Sequence, residues 1–220
     1  MKISLESKRI VWEDLCIRPS GHDESQDSMV QNILDQVKKK GDEALKQFTL
    51  KFDRVELQTF SVSKEELVQA EAKMDPNLIE AINVAKANIE SFHTAQLGKK
   101  IMVETMPGVV CWQESKPIDK VGIYIPGGSA PLFSTVLMLA VPAGIAGCGE
   151  IILCSPPDIT GHINPAILYT AQLCGIDKIY KIGGAQAIAA MAYGTKEIPK
   201  VIKIFVFVFV AVFHRVIVEE

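Results

Sequence analysis

The sequence has no run of apolar residues long and uncharged enough to cross a bilayer as a helix. Its first fifteen residues, MKISLESKRIVWEDL, also lack the apolar core of a signal peptide. The five cysteines are scattered and form no Cys-x-x-Cys pair, which argues against a zinc knuckle or a disulfide framework. These absences predict a cytoplasmic protein with no membrane partner, whose cysteines are small buried thiols.

The chain also has no excess of basic charge. Its 220 residues include 23 Lys and Arg against 26 Asp and Glu, a formal net charge of −3 at pH 7 with neutral histidines. Proteins that bind nucleic acid or an anionic membrane usually carry a basic patch. We therefore predict that nucleic acid is not a partner.

Charged residues are rare in the second half of the chain. Asp, Glu, Lys and Arg make up 32 of the first 100 residues but only 17 of the last 120. A sequence so poor in charge is typical of a sheet that helices cover on both faces. We divide the chain near Ser115–Lys120, into a helix-rich α+β region over residues 1–118 and an α/β region over residues 119–220.

The first half shows mostly helical periodicity and no catalytic constellation. Ser63 and Glu66 have capping-box spacing, and His93 is interpreted as a capping or surface residue rather than a metal ligand. In the last segment, Pro107-Gly108 supplies a hairpin turn and Trp112 is expected to pack inward. The predicted elements are helices over Asp27–Phe48 with a break at Gly41, Asp42–Phe52, Ser63–Met74 and Pro76–His93, a strand over Val55–Val62 and a hairpin over Val103–Gln113.

The second half repeats a strand–helix pattern three times. Ser129 is a candidate N-cap for the first helix, which should end near Ala140 because Pro142 must kink or split it. Three such units predict a parallel sheet with right-handed crossovers. The expected strands are Val121–Ile125, Ile151–Cys154 and Lys178–Ile182, and the later helices are Asn164–Leu173 and Ala187–Tyr193.

Ligands of such sheets bind beyond the carboxyl ends of the strands. That rule places Tyr124–Ser129, Ser155–Asp158 and Gly183–Gln186 on one rim. The two Gly-Gly turns fit either a phosphate-bearing ligand or a plain tight turn. Tyr124 is suited to contact a nucleotide but equally to a core position, and the amide of Gln186 needs either a ligand or a structural hydrogen bond.

Neither the GxGxxG nor the GxxxxGK[ST] fingerprint is present, but longer motifs are. VGIYIPGGSAPLFSTVLMLAVPA, IILCSPP and KIGGAQAIAAMAYGT, with GDEAL, FHTAQ and PGVVCWQ upstream, resemble histidinol dehydrogenase from about Val30 to Phe205. The resemblance implies an NAD-dependent, zinc-requiring homodimer that oxidises L-histidinol to L-histidine through an aldehyde, in two hydride transfers. It implies two incomplete Rossmann-like domains per subunit, and it places Tyr124 and Gln186 at positions that contact NAD.

The resemblance ends after Phe205. The family pattern would continue with Gly-Pro-Gly-Asn, whose Asn also contacts NAD, whereas this chain reads VFVFVAVFHRVIVEE. The family's zinc ligands, catalytic Glu-His pair and histidinol contacts lie further downstream, so no catalytic or metal-binding residue is carried onto this chain, His214 included. The 220 residues thus resemble a C-terminally truncated member with an atypical tail over residues 206–220, predicted to be inactive alone. The alternative is a non-catalytic nucleotide-binding or dimerisation module.

The predicted fold class is therefore α/β, a helical N-terminal region followed by an incomplete Rossmann-like parallel sheet with flanking helices. The tail is rich in β-branched and aromatic residues and free of proline, and it is expected to form either a fourth buried strand or an aggregation-prone edge.

Overall fold

A computed structural model describes residues 24–128 and 131–206 of the chain. The first part contains four helices and a hairpin, largely as predicted. Gly41 separates the first two helices in a left-handed conformation, with φ of 56°, which a residue with a side chain rarely adopts. The elements are α1 (Glu24–Lys40), α2 (Asp42–Phe52), α3 (Lys64–Ala72), α4 (Pro76–Ala95), β1 (Ile101–Met106) and β2 (Val109–Gln113).

The second part is a parallel sheet with intervening helices, which confirms the predicted α/β class. Its elements are β3 (Lys120–Tyr124), α5 (Phe133–Ile145), β4 (Glu150–Ser155), α6 (Pro165–Leu173), β5 (Lys178–Lys181), α7 (Gly184–Tyr193) and β6 (Lys203–Val206). The strand order is β5-β4-β3-β6, and every neighbouring pair is parallel. A fourth strand is thus present, but it begins at Lys203, and its side chains alternate between exposed and half-buried rather than buried. The rest of the predicted tail, residues 207–220, lies outside the described residues.

Helices cover both faces of the sheet. Because side chains alternate along a strand, Ile152 and Cys154 of β4 lie in a core with α1, α2 and α7, whereas Leu153 lies in a core with α3, α5 and α6. Helices α4 and α5 also pack together around Ile82 and Leu137. The helices of the first half therefore help to bury both faces of the sheet. No helix among the described residues is long and apolar enough to cross a membrane.

The strand predicted over Val55–Val62 is wrong. The segment forms only an isolated antiparallel bridge between Ser61 and Tyr180. Val62 N–H donates to the Ile179 carbonyl at 2.9 Å, and Phe60 is fully buried. The alternating pattern therefore reflects two side chains inserted into the core as the chain crosses the free edge of β5, which protects that edge from pairing with another chain.

The prediction that Trp112 packs inward is also wrong. The hairpin forms with the expected turn, but every residue of β1 and β2 is exposed, and Trp112 is 62% exposed. Alternation along a hairpin sets which side chains share a face, but a face is buried only where another element covers it.

Helix α5 differs from its prediction at both ends. It begins at Phe133, with Leu132 as N-cap, and Ser129 lies outside the described residues, so its predicted capping role stays a prediction. The helix is not split at Pro142 but continues to Ile145, and the Pro142 carbonyl accepts from Ala146 N–H at 2.9 Å. Packing of this apolar helix against α4 and α6 outweighs the one hydrogen bond that proline removes.

Candidate functional site

Three loops meet at the carboxyl end of the sheet, on the rim that the sequence indicates. A Cβ on Gly127 would lie 2.8 Å from Pro156 Cγ, and one on Gly183 would lie 2.5 Å from Pro156 Cβ. Real Cβ atoms do not approach so closely, and glycine at both positions is what lets the two turns close on Pro156. The loops after β3, β4 and β5 thus interlock around one proline.

Tyr124 lies at the last position of β3 and is 7% exposed. Its hydroxyl oxygen accepts a hydrogen bond from Gly184 N–H at 2.9 Å. Burial raises the pKa of the Tyr124 hydroxyl, the hydrogen bond from Gly184 opposes that rise, and the nearby Asp53 carboxyl adds to it. The Tyr124 hydroxyl therefore links β3 to the Gly183-Gly184 turn. Its proton remains available for a further hydrogen bond.

Gln186 lies in the first turn of α7, as expected, and is 2% exposed. Its Oε1 is 2.6 Å from the position that a Cβ on Gly184 would occupy. Gly184 itself has φ of 65°, a conformation that favours glycine. The two residues singled out from the sequence, Tyr124 and Gln186, therefore converge on the same glycine at the rim.

Among the described residues, the N-cap residue makes no side-chain hydrogen bond in two of the three helices that start at this rim, although the first N–H of α7, that of Gly184, donates to the Tyr124 hydroxyl. Gly183 precedes α7 and Leu132 precedes α5, and neither caps its helix with a side-chain hydrogen bond. Helix α6, by contrast, is capped by Asn164, whose Oδ1 accepts from Ala166 N–H at 2.9 Å. Uncapped first-turn N–H groups and the helix dipole favour an anion.

Sequence reasoning missed Asp53, which immediately follows α2. Its Oδ2 is buried with no hydrogen-bond partner among the described residues, and burial raises the pKa of the Asp53 carboxyl from 3.8 to about 6. The negative charge of this carboxyl contributes to raising the pKa of the Tyr124 hydroxyl. Nothing in the hydrophobic pattern marks the position, because an aspartate at a helix end is ordinarily solvated.

Replacing Asp53 with asparagine should change how stability depends on pH. A carboxyl with a raised pKa in the folded state lowers stability as pH rises from about 4 to 6. Asp53→Asn removes that penalty, so the variant should exceed the wild type by about 1 kcal/mol above pH 6, since the side chain is partly solvated, and the difference should vanish below pH 4. Urea unfolding at several pH values measures this, and a variant less stable than wild type at pH 7 would contradict it.

No group of three or more His, Cys, Asp or Glu residues within 24–128 and 131–206 is placed to hold a metal ion. His93 instead contacts the side chain of Gln96, with 2.8 Å between Nδ1 and Oε1. The described residues therefore offer a rim suited to an organic anion and no set of metal ligands.

Comparisons with known proteins agree on one family. The family model for histidinol dehydrogenase matches residues 17–211. The chain is 54% identical over 207 residues to histidinol dehydrogenase of Bacteroides thetaiotaomicron. The matched segment covers 93% of this chain and 48% of that protein. It is 53% identical over 192 residues to the enzyme of Escherichia coli K12, covering 87% of this chain and 43% of that protein.

A solved structure shows the same relation. The crystal structure of histidinol dehydrogenase from Elizabethkingia anophelis matches with a TM-score of 0.85 and 50% identity, over 90% of this chain and 46% of that one. The chain thus spans about half the length of the relatives it matches. Over that span both the sequence and the fold agree, and the chain belongs to the histidinol dehydrogenase family.

Proposed function

We propose that this chain is the NAD-binding part of a histidinol dehydrogenase, which oxidises L-histidinol to L-histidine in histidine biosynthesis. The observation that carries the proposal is the convergence of Tyr124 and Gln186 on Gly184 at the carboxyl rim of a parallel sheet. Ligands of open α/β sheets bind at such rims. When bound, NAD would supply the hydride acceptor for the two oxidations.

The residues of the rim suit the parts of a dinucleotide. The first-turn N–H groups of α5, and those of α7 beyond Gly184, would bind the pyrophosphate, because the described N-cap residues of both helices make no side-chain hydrogen bond. Glycine at 127 and 183 keeps side chains out of the turns beside Pro156. Tyr124 would donate its hydroxyl proton to the ligand, and the amide of Gln186 would contact it from the first turn of α7.

The zinc requirement of the family has no counterpart among the described residues, which contain no suitable cluster of ligands. The same proposal includes binding of L-histidinol, assembly as a homodimer and a cytoplasmic location. These properties are proposed for the whole protein, because the relatives are about twice as long as this chain.

The proposal predicts that Tyr124→Phe weakens NAD binding. Loss of one hydroxyl hydrogen bond, about 1 kcal/mol, corresponds to an affinity loss of about 5-fold. Titration calorimetry of the 220-residue chain with NAD measures the change. The matched control is Tyr180→Phe. Tyr180 is as buried as Tyr124 and belongs to the same core cluster, but it lies on β5, two strands away from β3. Equal affinity of Tyr124→Phe and the wild type would remove Tyr124 from the site.

The exposed hairpin favours the alternative, a dimerisation module. Both of its strands are exposed along their whole length, and such apolar surface is typical of an interface. Its large apolar side chains that are at least 44% exposed are Ile101, Met102, Val103, Met106, Val109, Val110 and Trp112. An absence of NAD binding, together with self-association in solution, would favour this alternative over the NAD-binding proposal.

A further inference from the structure

We propose that Glu66 is a positioning residue of the rim, whose carboxylate holds the loops after β4 and β5 in the relative arrangement that binds the dinucleotide. Because this rim is the proposed NAD site, the role rests on the proposed function. Glu66 belongs to α3, outside the sheet, and it acts through the residues that it joins rather than by touching the ligand.

The carboxylate of Glu66 is itself held in one place. Glu66 N–H donates to Ser63 Oγ at 3.2 Å, and Ser63 N–H donates back to Glu66 Oε2 at 3.0 Å. This reciprocal capping box fixes the side chain against the first turn of α3. Leu67 and Ala70 of the same helix lie in a core cluster with residues of α6. Glu66 therefore extends from a fixed support.

The loop after β5 is joined to Glu66 through Lys181, the last residue of that strand. Lys181 Nζ lies 3.0 Å from each oxygen of the Glu66 carboxylate, and the lysine is buried. Its backbone N–H also donates to the Phe60 carbonyl at 2.7 Å. A charge-assisted contact to both oxygens, shielded from water, allows the side chain little movement. The chain is thus fixed two residues before Gly183, where the turn at the rim begins.

The loop after β4 is joined to the same carboxylate through His162. His162 Nδ1 lies 3.0 Å from Glu66 Oε1, one of the oxygens that Lys181 contacts. The turn before His162 is closed on itself, because Asp158 N–H donates to the His162 carbonyl at 2.8 Å and Asp158 Oδ1 accepts from His162 N–H at 3.1 Å. A bond to the His162 ring therefore holds residues 158–162 as one unit.

The two loops meet on the rim itself at Pro156 and Gly183. A Cβ on Gly183 would lie 2.5 Å from Pro156 Cβ, so no gap separates the loops there. Glu66 adds a polar link between the same two loops, through His162 on one and Lys181 at the start of the other. Groups that are in place before a ligand arrives need not be ordered when it binds, which raises the affinity. Glu66 should therefore affect NAD affinity as well as stability.

His162 allows positioning to be separated from stability. Its side chain is 60% exposed, and a polar contact to so exposed a group contributes little to the free energy of unfolding. A contact with a purely structural role would change stability and leave the affinity of the folded chain untouched. Loss of the His162 contact is expected to do the reverse.

The test compares His162→Ala and His162→Asn with the wild-type chain by calorimetric titration with NAD. We expect His162→Ala to bind NAD about 5-fold more weakly with an unchanged melting temperature, because the two loops are then correctly placed in only part of the population. His162→Asn should restore wild-type affinity, since the asparagine amide supplies an N–H donor in the place of Nδ1. His93→Ala is the matched control. His93 Nδ1 contacts Gln96 Oε1 at 2.8 Å on α4, away from both loops, and the variant should bind NAD as the wild type does.

The possible outcomes separate this role from the proposed function. Wild-type affinity in His162→Ala, or an affinity of His162→Asn as low as that of His162→Ala, would overturn the role of Glu66, and the proposed function would stand if Tyr124→Phe still weakens binding. If the folded wild-type chain binds no NAD, the proposed function fails, and amide chemical shifts of the ligand-free chain decide whether Glu66 positions the loops. His162→Ala should then change the shifts of residues 183–186, and His162→Asn should restore them. Changes confined to residues 158–164 and 63–67 would contradict the role.

Discussion

Replacing Glu66 with alanine should lower the free energy of unfolding by about 3 kcal/mol, because its carboxylate holds three donors at once. Lys181 Nζ lies 3.0 Å from both carboxylate oxygens. His162 Nδ1 lies 3.0 Å from Oε1, and Ser63 N–H donates to Oε2 at 3.0 Å. Lys181 is only 8% exposed, so its ammonium would lose its partner where little water can replace it.

The loss should depend on pH. Burial by itself would raise the pKa of Glu66, but the hydrogen bonds from its donors outweigh burial, and the pKa lies below its usual value of 4.5. The stabilisation from the ionised carboxylate is therefore complete above pH 4.5 and lost as pH falls through the lowered folded value. Urea unfolding should show the full difference between wild type and Glu66→Ala at pH 7 and a smaller one well below pH 4.5.

Two further variants separate the causes. Glu66→Gln keeps the capping-box acceptor for Ser63 but removes the charge beside Lys181, so it should lose an intermediate amount. Glu65→Ala removes an exposed carboxylate from the same helical turn, whose pKa local hydrogen bonds lower, and should cost much less stability than Glu66→Ala. If Glu66→Ala proved as stable as Glu65→Ala at pH 7, the cluster would have no structural role.

Gly183→Ala should destabilise the chain by about 2 kcal/mol and abolish measurable NAD binding, because the added methyl group meets Pro156. The new Cβ would lie 2.5 Å from Pro156 Cβ and 3.2 Å from its Cα, a backbone atom that cannot move without moving the loop. Gly183 has an extended backbone, with φ of −117°, so the expected effect is steric and owes nothing to conformational strain.

Gly128→Ala is the matched control for this steric effect. It adds the same methyl group on the same rim, where no atom of the described residues lies within 4 Å of the new Cβ, and its stability should stay within about 0.5 kcal/mol of the wild type. Chemical denaturation and NAD calorimetry of both variants measure the effects. Wild-type stability and affinity in Gly183→Ala would show that the contact with Pro156 does not shape the rim.

The fold could be predicted where hydrophobic periodicity and turn chemistry agree. The parallel strands, the capping box at Ser63 and the helix break at Gly41 follow from local rules. The segment Val55–Val62 could not be assigned from its alternation, because insertion of Phe60 and Val62 beside β5 gives the same pattern as a strand. Trp112 is exposed because burial of a hairpin depends on what covers it, which the local sequence does not encode.

The candidate site was only partly visible in the sequence. Tyr124 and Gln186 could be named because Tyr124 lies near the end of one predicted strand and Gln186 follows another, both at the carboxyl rim. The hydrogen bond from Gly184 N–H to Tyr124, and the position of the Gln186 amide where a Cβ of residue 184 would lie, depend on how the loops close. Asp53 could not be found, because the burial that raises its pKa results from the packing of α2 against the core, which its local sequence does not show.

The central claim is that NAD binds at the rim formed by the loops after β3, β4 and β5. Amide chemical shifts of the isotope-labelled chain, followed during titration with NAD, test it most directly. We expect the largest shifts at residues 124–128, 155–158 and 183–186. Saturable shifts confined to other parts of the chain, or no shifts at NAD concentrations up to several millimolar, would contradict the account.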